Sequence, residues 1–86
     1  MAEYTITFAR SARKELEVLA ASIVNRIFQK IELLAAEPRP PGCLKPTGEE
    51  DLWRIRIGDY RVLYTINDKQ KLVDVIAVRH RREAYQ

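Results

Sequence analysis

Cysteine, histidine and glycine are scarce in this chain of 86 residues, which contains one, one and three of them respectively. The single cysteine, Cys43, excludes an internal disulfide and fits a reducing compartment. No cluster of His, Cys, Asp or Glu has metal-ligand spacing, so no metal or other cofactor is expected. The glycines form neither a phosphate-cradling loop nor a serine nucleophile elbow. Disulfide scaffolds, P-loop enzymes and serine hydrolases are therefore excluded.

Long apolar runs are also missing. No run approaches the roughly 20 residues that span a bilayer, and the N-terminus lacks the basic-then-apolar layout of a signal peptide. We therefore predict a cytoplasmic protein that does not bind a membrane. Apolar residues make up 47% of the chain and charged residues 31%, which is typical of a globular protein. The length predicts one small domain over residues 1–86 with a thin stability margin.

The chain is organised around residues 51–66, which separate into an apolar and a basic set when they are read with a period of two. Arg54 and Arg56 alternate with apolar residues in the first half. After the Gly58-Asp59 turn, Arg61 falls opposite a second apolar row. The pattern predicts a hairpin with one apolar face and one arginine face. The apolar face comprises Trp53, Ile55, Ile57, Tyr60, Val62, Tyr64 and Ile66.

Upstream of this hairpin the pattern predicts a strand and two helices. Tyr4, Ile6 and Phe8 alternate with polar residues and are predicted to point inward. Two stripes with helical spacing follow, separated by a break at residues 20–22, although one bent helix is an alternative. Ser11 and Ser22 are predicted to cap the two helices, and Pro38 to end the second. The stripes comprise Ala12, Leu16, Leu19 and Ala20, then Ile23, Val24, Ile27, Phe28, Ile31, Leu34 and Ala35.

A loop rich in proline and a final strand complete the predicted fold. Residues 38–50 hold all four prolines, and Cys43 within them is interpreted as a packing residue. Residues 72–78 are apolar except for Asp74, which predicts a central strand. With Asp74 outward, Ile76, Val78 and His80 are predicted to share the arginine face. The fold class is therefore α+β in the order β-α-α-β-β-β, with a helical hairpin on one face of a mainly antiparallel sheet.

Positive charge is concentrated near the end of the chain. The net charge is +3, and six of the ten arginines lie after residue 53. Guanidinium groups bind phosphate through paired hydrogen bonds, so the cluster indicates a partner that is acidic or carries phosphates. A solubilising surface is the alternative interpretation. The six arginines are Arg54, Arg56, Arg61, Arg79, Arg81 and Arg82.

These arginines, one histidine and one tyrosine together suit attack on an RNA phosphodiester. Arginines neutralise the charge that grows in the transition state. His80 is the natural proton carrier near neutral pH, and Tyr85 can donate a hydrogen bond or stack on a base. The RNA 2′-hydroxyl supplies the nucleophile, so no protein nucleophile is needed. From the residues alone, binding an acidic protein or a nucleic acid without chemistry is the stronger alternative.

A family resemblance favours the chemistry. Residues 52–64, together with His80, Arg81, Arg82 and Tyr85, closely resemble the RelE family of bacterial toxins in the RelE/ParE superfamily. The similarity covers nearly the whole chain and includes the opening strand and Pro38. Residues 45–48 resemble the family's Lys-Leu-x-Gly motif, with Pro46 in place of the leucine. The block that carries most of the resemblance reads LWRIRIGDYRVLY.

The resemblance implies a ribosome-dependent endoribonuclease that cuts mRNA and is held inactive by a RelB-like antitoxin. It implies catalytic roles for Arg61 and Arg81, with Arg82 as an alternative to Arg81. His80 and Tyr85 match catalytic positions in related toxins. Arg54 and Arg56 match basic residues that are lysines in some members. The implied RNA-binding residues are Arg54, Arg56, Lys45 and Arg82.

The general base is not assigned by the resemblance. Arginine is too basic to replace a lysine base at residues 54 and 56. His80 is the best candidate, and the ribosome or the substrate are alternatives. Two further functions stay open, namely a ParE-like inhibitor of DNA gyrase and a non-catalytic module that binds an antitoxin.

Overall fold

A computed structural model describes residues 3–40 and 52–80, in which the predicted order of elements is confirmed. Most of the predicted loop, including Cys43, lies outside the described residues. Among the described residues, no helix is long and apolar enough to cross a membrane. The elements are β1 (Thr5–Phe8), α1 (Arg10–Glu17), α2 (Ala21–Leu33), β2 (Trp53–Ile57), β3 (Tyr60–Asn67) and β4 (Leu72–His80).

The four strands form one sheet in the order β1-β4-β3-β2. The two pairs that involve β3 are antiparallel, whereas β1 is parallel to β4. β4 is therefore an interior strand, as its apolar sequence predicted. The sheet is mainly antiparallel, and both helices pack on the same side of it, so the predicted fold class is confirmed.

The helices and one face of the sheet share a single apolar core. Ala12 and Leu16 of α1 and Ile27 and Ile31 of α2 are buried against the sheet. The predicted apolar face of the hairpin forms the other half, with Val62 and Tyr64 fully buried. Tyr4, Ile6 and Phe8 of the first strand region pack against this core as predicted. The core residues from the sheet are Ile55, Ile57, Val62, Tyr64, Val73, Val75 and Val78.

Neither predicted serine cap forms. The N-cap residues are Ala9 and Ala20, and neither helix has a side-chain cap. Each serine instead occupies the second residue of its helix. The Ser11 hydroxyl donates to the carbonyl of Ile76 at 2.7 Å. The break between the helices is real, but it lies at Val18–Ala20 rather than at residues 20–22, because Ala20 is extended and α2 begins directly after it.

A bulge in β4 overturns the predicted orientation of its second half. Leu63 pairs with Ala77 and Tyr64 pairs with Val75, so Ile76 is an extra residue. One extra residue exchanges the two faces of every later position. Asp74 is outward as predicted, and it accepts a hydrogen bond from the Thr7 hydroxyl at 2.9 Å. The prediction that Val78 and His80 share its face is wrong, because Val78 is 4% exposed within the core.

The Gly58-Asp59 turn joins β2 to β3 as predicted. Ile57 pairs with Tyr60, which leaves two residues in the turn. Gly58 has a φ of +59°, a conformation that glycine adopts without the steric cost that other residues have. The turn thereby brings Arg56 and Arg61 directly opposite each other across the two strands.

Polar contacts anchor the segment after α2 to the sheet. The Tyr64 hydroxyl donates a buried hydrogen bond to the carbonyl of Pro38 at 2.7 Å. Arg39 forms a salt bridge with Asp68 at 3.0 Å and lies over the Trp53 ring. Its guanidinium, together with the Tyr4 hydroxyl, lowers the pKa of Asp68 by hydrogen bonding to its carboxylate. These contacts fix where the chain leaves α2 before it returns as β2.

Tyr64→Phe removes the hydroxyl that satisfies the Pro38 carbonyl. We expect this substitution to lower the free energy of unfolding by about 1–3 kcal/mol, because a buried acceptor loses its donor. Urea denaturation should show a lower midpoint with an unchanged slope. An unchanged midpoint would mean that the Pro38 contact contributes nothing to stability.

Candidate nucleic-acid interface

Three arginines lie side by side on the sheet face that points away from the helices, which we call the outer face. Arg56 of β2 pairs with Arg61 of β3, and Arg61 pairs with Arg79 of β4. Directly paired residues project from the same face of a sheet. We call Arg56, Arg61 and Arg79 the arginine row. It crosses three strands at the end of the sheet that carries the Gly58-Asp59 turn.

The arginine row concentrates like charges. Side chains directly opposite each other in a sheet have Cβ atoms about 4.5–5.5 Å apart, and like charges at that distance are destabilising. Arg56 is exposed and Arg61 is half-buried. The carboxylate of Glu15 on α1 contacts the row at one end, where it accepts from Arg79 Nε at 3.0 Å. An arrangement with this net positive charge suits an anionic ligand.

Arg54 extends the basic surface by one more position along β2. It lies on the outer face and pairs with Leu63, which in turn pairs with Ala77. Its cross-strand neighbours are therefore apolar. The sequence correctly placed Arg54, Arg56 and Arg61 on one face, because the hairpin that carries them has no bulge.

His80 does not join the arginine row. It pairs with Tyr60, which packs against the core, and the two rings meet edge to face with centroids 5.2 Å apart. The predicted convergence of His80 with Arg61 on the outer face is therefore wrong. The extra residue in β4 places the histidine on the helix side, at the last position of the strand.

Arg79 is the row member that sequence reasoning did not select as a site residue. Apolar residues occupy both odd and even positions of β4, so alternation does not reveal which face of the sheet each residue lies on. The bulge at Ile76 is invisible in that pattern. The basic character of Arg79 was the one available signal. The other predicted site residues, Lys45, Arg81, Arg82 and Tyr85, lie outside the described residues.

Two clefts lie on the helix side. A cleft of 220 Å³ under the hairpin turn is lined by Arg26, Asp59, Tyr60 and neighbouring apolar residues. A larger groove of 380 Å³ lies between the helices and β1, and it is mostly apolar. Phe8 and Phe28 meet edge to face in that groove, with ring centroids 5.6 Å apart. Its lining residues are Phe8, Arg13, Leu16, Glu17, Val24 and Phe28.

The chemistry available on the outer face is binding of anions. Three guanidinium groups present fixed N–H donors that match phosphate oxygens. Within the part of the chain that the structure describes, no group of three His, Cys, Asp or Glu residues could hold a metal ion. The described side chains therefore offer charge neutralisation rather than metal ligation.

Comparison with known proteins identifies the family. Residues 6–85 match the family model described as the ParE toxin of the type II toxin–antitoxin system parDE. The chain is 33% identical to toxin RelG of Mycobacterium tuberculosis, over 96% of this chain and 97% of RelG. The chain belongs to the RelE family of type II toxins. This assignment confirms the resemblance seen in the sequence.

Solved structures of RelE-family complexes share the fold. The toxin resembles the archaeal RelE–RelB complex of Pyrococcus horikoshii OT3 with a TM-score of 0.81 and 30% identity, covering 92% of this chain and 96% of that one. It resembles the toxin–antitoxin complex RelBE2 of Mycobacterium tuberculosis equally well, with a TM-score of 0.81 and 30% identity over 92% of this chain and 99% of that one. The similarity thus extends over almost the whole toxin.

The electrostatic cost of the row can be measured in the toxin itself. We expect Arg56→Gln to raise the free energy of unfolding by about 0.2–1 kcal/mol at low salt, because it removes a like charge directly opposite Arg61. The matched control is Arg54→Gln, since Arg54 faces Leu63. Urea denaturation at about 0.01 M and about 1 M salt, where charges are screened over about 30 Å and 3 Å, would separate the two variants.

The gain should be larger for Arg56→Gln than for Arg54→Gln, and it should shrink at high salt. Equal stability changes in the two variants at low salt would show that the direct pairing of Arg56 with Arg61 adds no cost of its own.

Proposed function

We propose that this toxin is a ribosome-dependent endoribonuclease that cleaves mRNA. The observation that carries the proposal is the arginine row, in which three arginines occupy directly paired positions of neighbouring strands at one end of the sheet. A phosphodiester is the ligand that makes such a row favourable, because each phosphate accepts several charge-assisted hydrogen bonds. The RelE-family relatives support RNA as the source of that phosphate.

In the proposed reaction, the RNA 2′-hydroxyl loses its proton and its oxygen attacks the adjacent phosphorus. The bond from phosphorus to the 5′-oxygen breaks, and that oxygen takes up a proton. The products are a 2′,3′-cyclic phosphate and a 5′-hydroxyl. The toxin contributes positive charge where the pentacoordinate transition state gains negative charge. No protein nucleophile and no metal enter this reaction.

Each site residue has a proposed part in this reaction. Arg61 lies at the centre of the row and stabilises the phosphate together with Arg81. Arg54 and Arg56 hold the backbone of the mRNA or rRNA. The remaining proposed RNA contacts are Lys45 and Arg82. Tyr85 orients a base or assists the leaving group.

His80 is our candidate for proton transfer, and it would act from the end of β4 rather than from the outer face. Its ring lies against Tyr60 on the helix side. The sequence predicted that His80 would share the arginine face, but it does not approach the row. The ribosome and the substrate are the alternative sources of the general base.

A RelB-like antitoxin is the proposed inhibitory partner, in the cytoplasm. The solved neighbours include several RelE–RelB complexes. The toxin offers an apolar groove between its helices and β1, bordered by the exposed ring of Phe28. Val18 and Leu33 are 82% and 61% exposed on the same helical layer. Such a surface suits the apolar face of an amphipathic antitoxin segment.

The proposal is tested by Arg61→Ala in a bacterial translation extract. We expect wild type to cut mRNA within translated codons and Arg61→Ala to cut about 100- to 1000-fold more slowly, because a donor to the developing negative charge is lost. Primer extension maps the new 5′ ends. Lys30→Ala, which removes a positive charge from α2 in the helix layer, is the control and should cleave like wild type.

Other outcomes would replace the proposal. Intact mRNA with loss of gyrase supercoiling in the presence of wild type would identify a ParE-like gyrase inhibitor. Intact mRNA and unaffected gyrase would leave a non-catalytic module that binds an antitoxin.

His80→Ala tests the proton-transfer role separately. If His80 carries a proton, the single-turnover cleavage rate should fall by about 100- to 10,000-fold in His80→Ala. Tyr60→Phe, which keeps the ring beside His80, is the control. A His80→Ala variant that keeps the wild-type rate would remove His80 from the reaction and leave the ribosome or the RNA as the source of the general base.

A further inference from the structure

We propose that Arg79 is a further phosphate-binding residue and that Glu15 is the positioning residue that holds it in the row. This inference rests on the proposed function in one respect, namely that the bound phosphate belongs to RNA. It adds two residues to those that the family resemblance implies, and neither was selected from the sequence.

The first observation is the place of Arg79 in the sheet. Its backbone pairs with that of Arg61, the central residue of the row. A ligand phosphate that contacts Arg61 from the outer face therefore lies within reach of the long side chain beside it. The bulge at Ile76 is required for this placement, because without the extra residue Arg79 would face the helices.

The second observation is a two-point contact from α1. One carboxylate oxygen of Glu15 accepts the backbone N–H of Val78 at 2.9 Å, and the other accepts Nε of Arg79 at 3.0 Å. The carboxylate is thus fixed to the strand by one bond and holds the guanidinium by the other. The Glu15 side chain is 26% exposed, so solvent screens this pair less than a fully exposed one.

The edge of β4 is open to α1 because β1 is short. β1 ends at Phe8, opposite Val75, and α1 begins two residues later. Beyond Val75, side chains of α1 occupy the edge of β4 where a neighbouring strand would otherwise pair. The Ser11 hydroxyl donates to Ile76 and the Glu15 carboxylate accepts from Val78. The bond to Val78 therefore holds the Glu15 carboxylate next to Arg79, the residue that it positions.

The contact to Arg79 leaves its phosphate-binding donors available. Glu15 engages Nε, and the two terminal nitrogens carry four further N–H groups in a rigid fork. The Arg79 side chain is 45% exposed. A guanidinium that is already oriented does not have to be immobilised when the ligand arrives, and immobilising such a side chain reduces affinity.

The test uses binding, so that it does not depend on cleavage. The probe is a single-stranded RNA in which every 2′-hydroxyl is methylated, which removes the nucleophile. We expect Arg79→Met to weaken binding and to reduce the slope of log affinity against log salt by about 0.7, the value for one lost phosphate contact on a single strand. Lys30→Met is the control, and its slope should equal that of wild type.

A double-mutant cycle tests the part of Glu15. Glu15→Gln keeps a carbonyl that can accept from Val78 but removes the charge that holds Arg79. At about 0.15 M salt, where long-range charge effects are screened beyond about 8 Å, we expect Glu15→Gln to weaken binding by about 3- to 10-fold. In the Arg79→Met background the same substitution should change binding by less than about twofold, because the group that it positions is absent.

Each result decides between interpretations. Tighter binding by Glu15→Gln would mean that the carboxylate masks Arg79, and an equal loss in both backgrounds would mean that it only supports the edge of β4. An unchanged slope in Arg79→Met would remove Arg79 from the site.

Arg79→Lys keeps the charge without the fork and guards against a folding defect. Its affinity should lie between those of wild type and Arg79→Met. Wild type that binds the probe but cuts no mRNA would overturn the proposed function and leave this inference intact.

Discussion

The extra residue in β4 determines which side chains reach each face of the toxin. Up to Val75 the strand follows simple alternation, with Val73 and Val75 in the core. Ile76 has no partner of its own across β3, and beyond it the faces exchange. Val78 then enters the core and Arg79 turns outward. The core, the arginine row and the position of His80 all depend on this one irregularity.

The arginine row places like charges directly opposite each other on neighbouring strands. Paired cross-strand arginines repel each other, and an apolar or mixed row would be more stable. The toxin has a counter-charge at the β4 end of the row, where Glu15 contacts Arg79. A phosphate ligand would offset the remaining repulsion. Repulsion between the paired arginines thus both lowers stability and favours binding of an anion.

The two layers of the fold present different surfaces. The helices bury the apolar face of the sheet and leave a groove with exposed apolar side chains, among them Phe28. The outer face carries Arg54 and the row. An inhibitor that binds in the groove and a substrate that binds on the outer face would use different sides of one small sheet. At the edge of β4, α1 contacts the strand through Ser11 and Glu15, and Glu15 also contacts Arg79 of the row.

Much of the fold follows from the sequence because its elements obey simple periods. The hairpin from Trp53 to Ile66 alternates without interruption, so its core face and Arg54, Arg56 and Arg61 were predicted correctly. The helix starts were not, since the residues that precede the helices are Ala9 and Ala20, which form no side-chain cap.

The parallel pairing of β1 with β4 and the bulge at Ile76 depend on contacts between distant segments. Local sequence does not encode them, and the misplacement of His80 and the omission of Arg79 both follow from the bulge.

In the proposed function, RNA phosphate binds the outer face at the arginine row. The most direct measurement is a structure of the toxin on a ribosome that carries mRNA with a 2′-O-methyl group at the cleavage site. We expect oxygens of the scissile phosphate to lie within about 3 Å of guanidinium nitrogens of Arg61 on the outer face. An mRNA bound on the helix side, or a scissile phosphate held without contact to any arginine of the row, would contradict it.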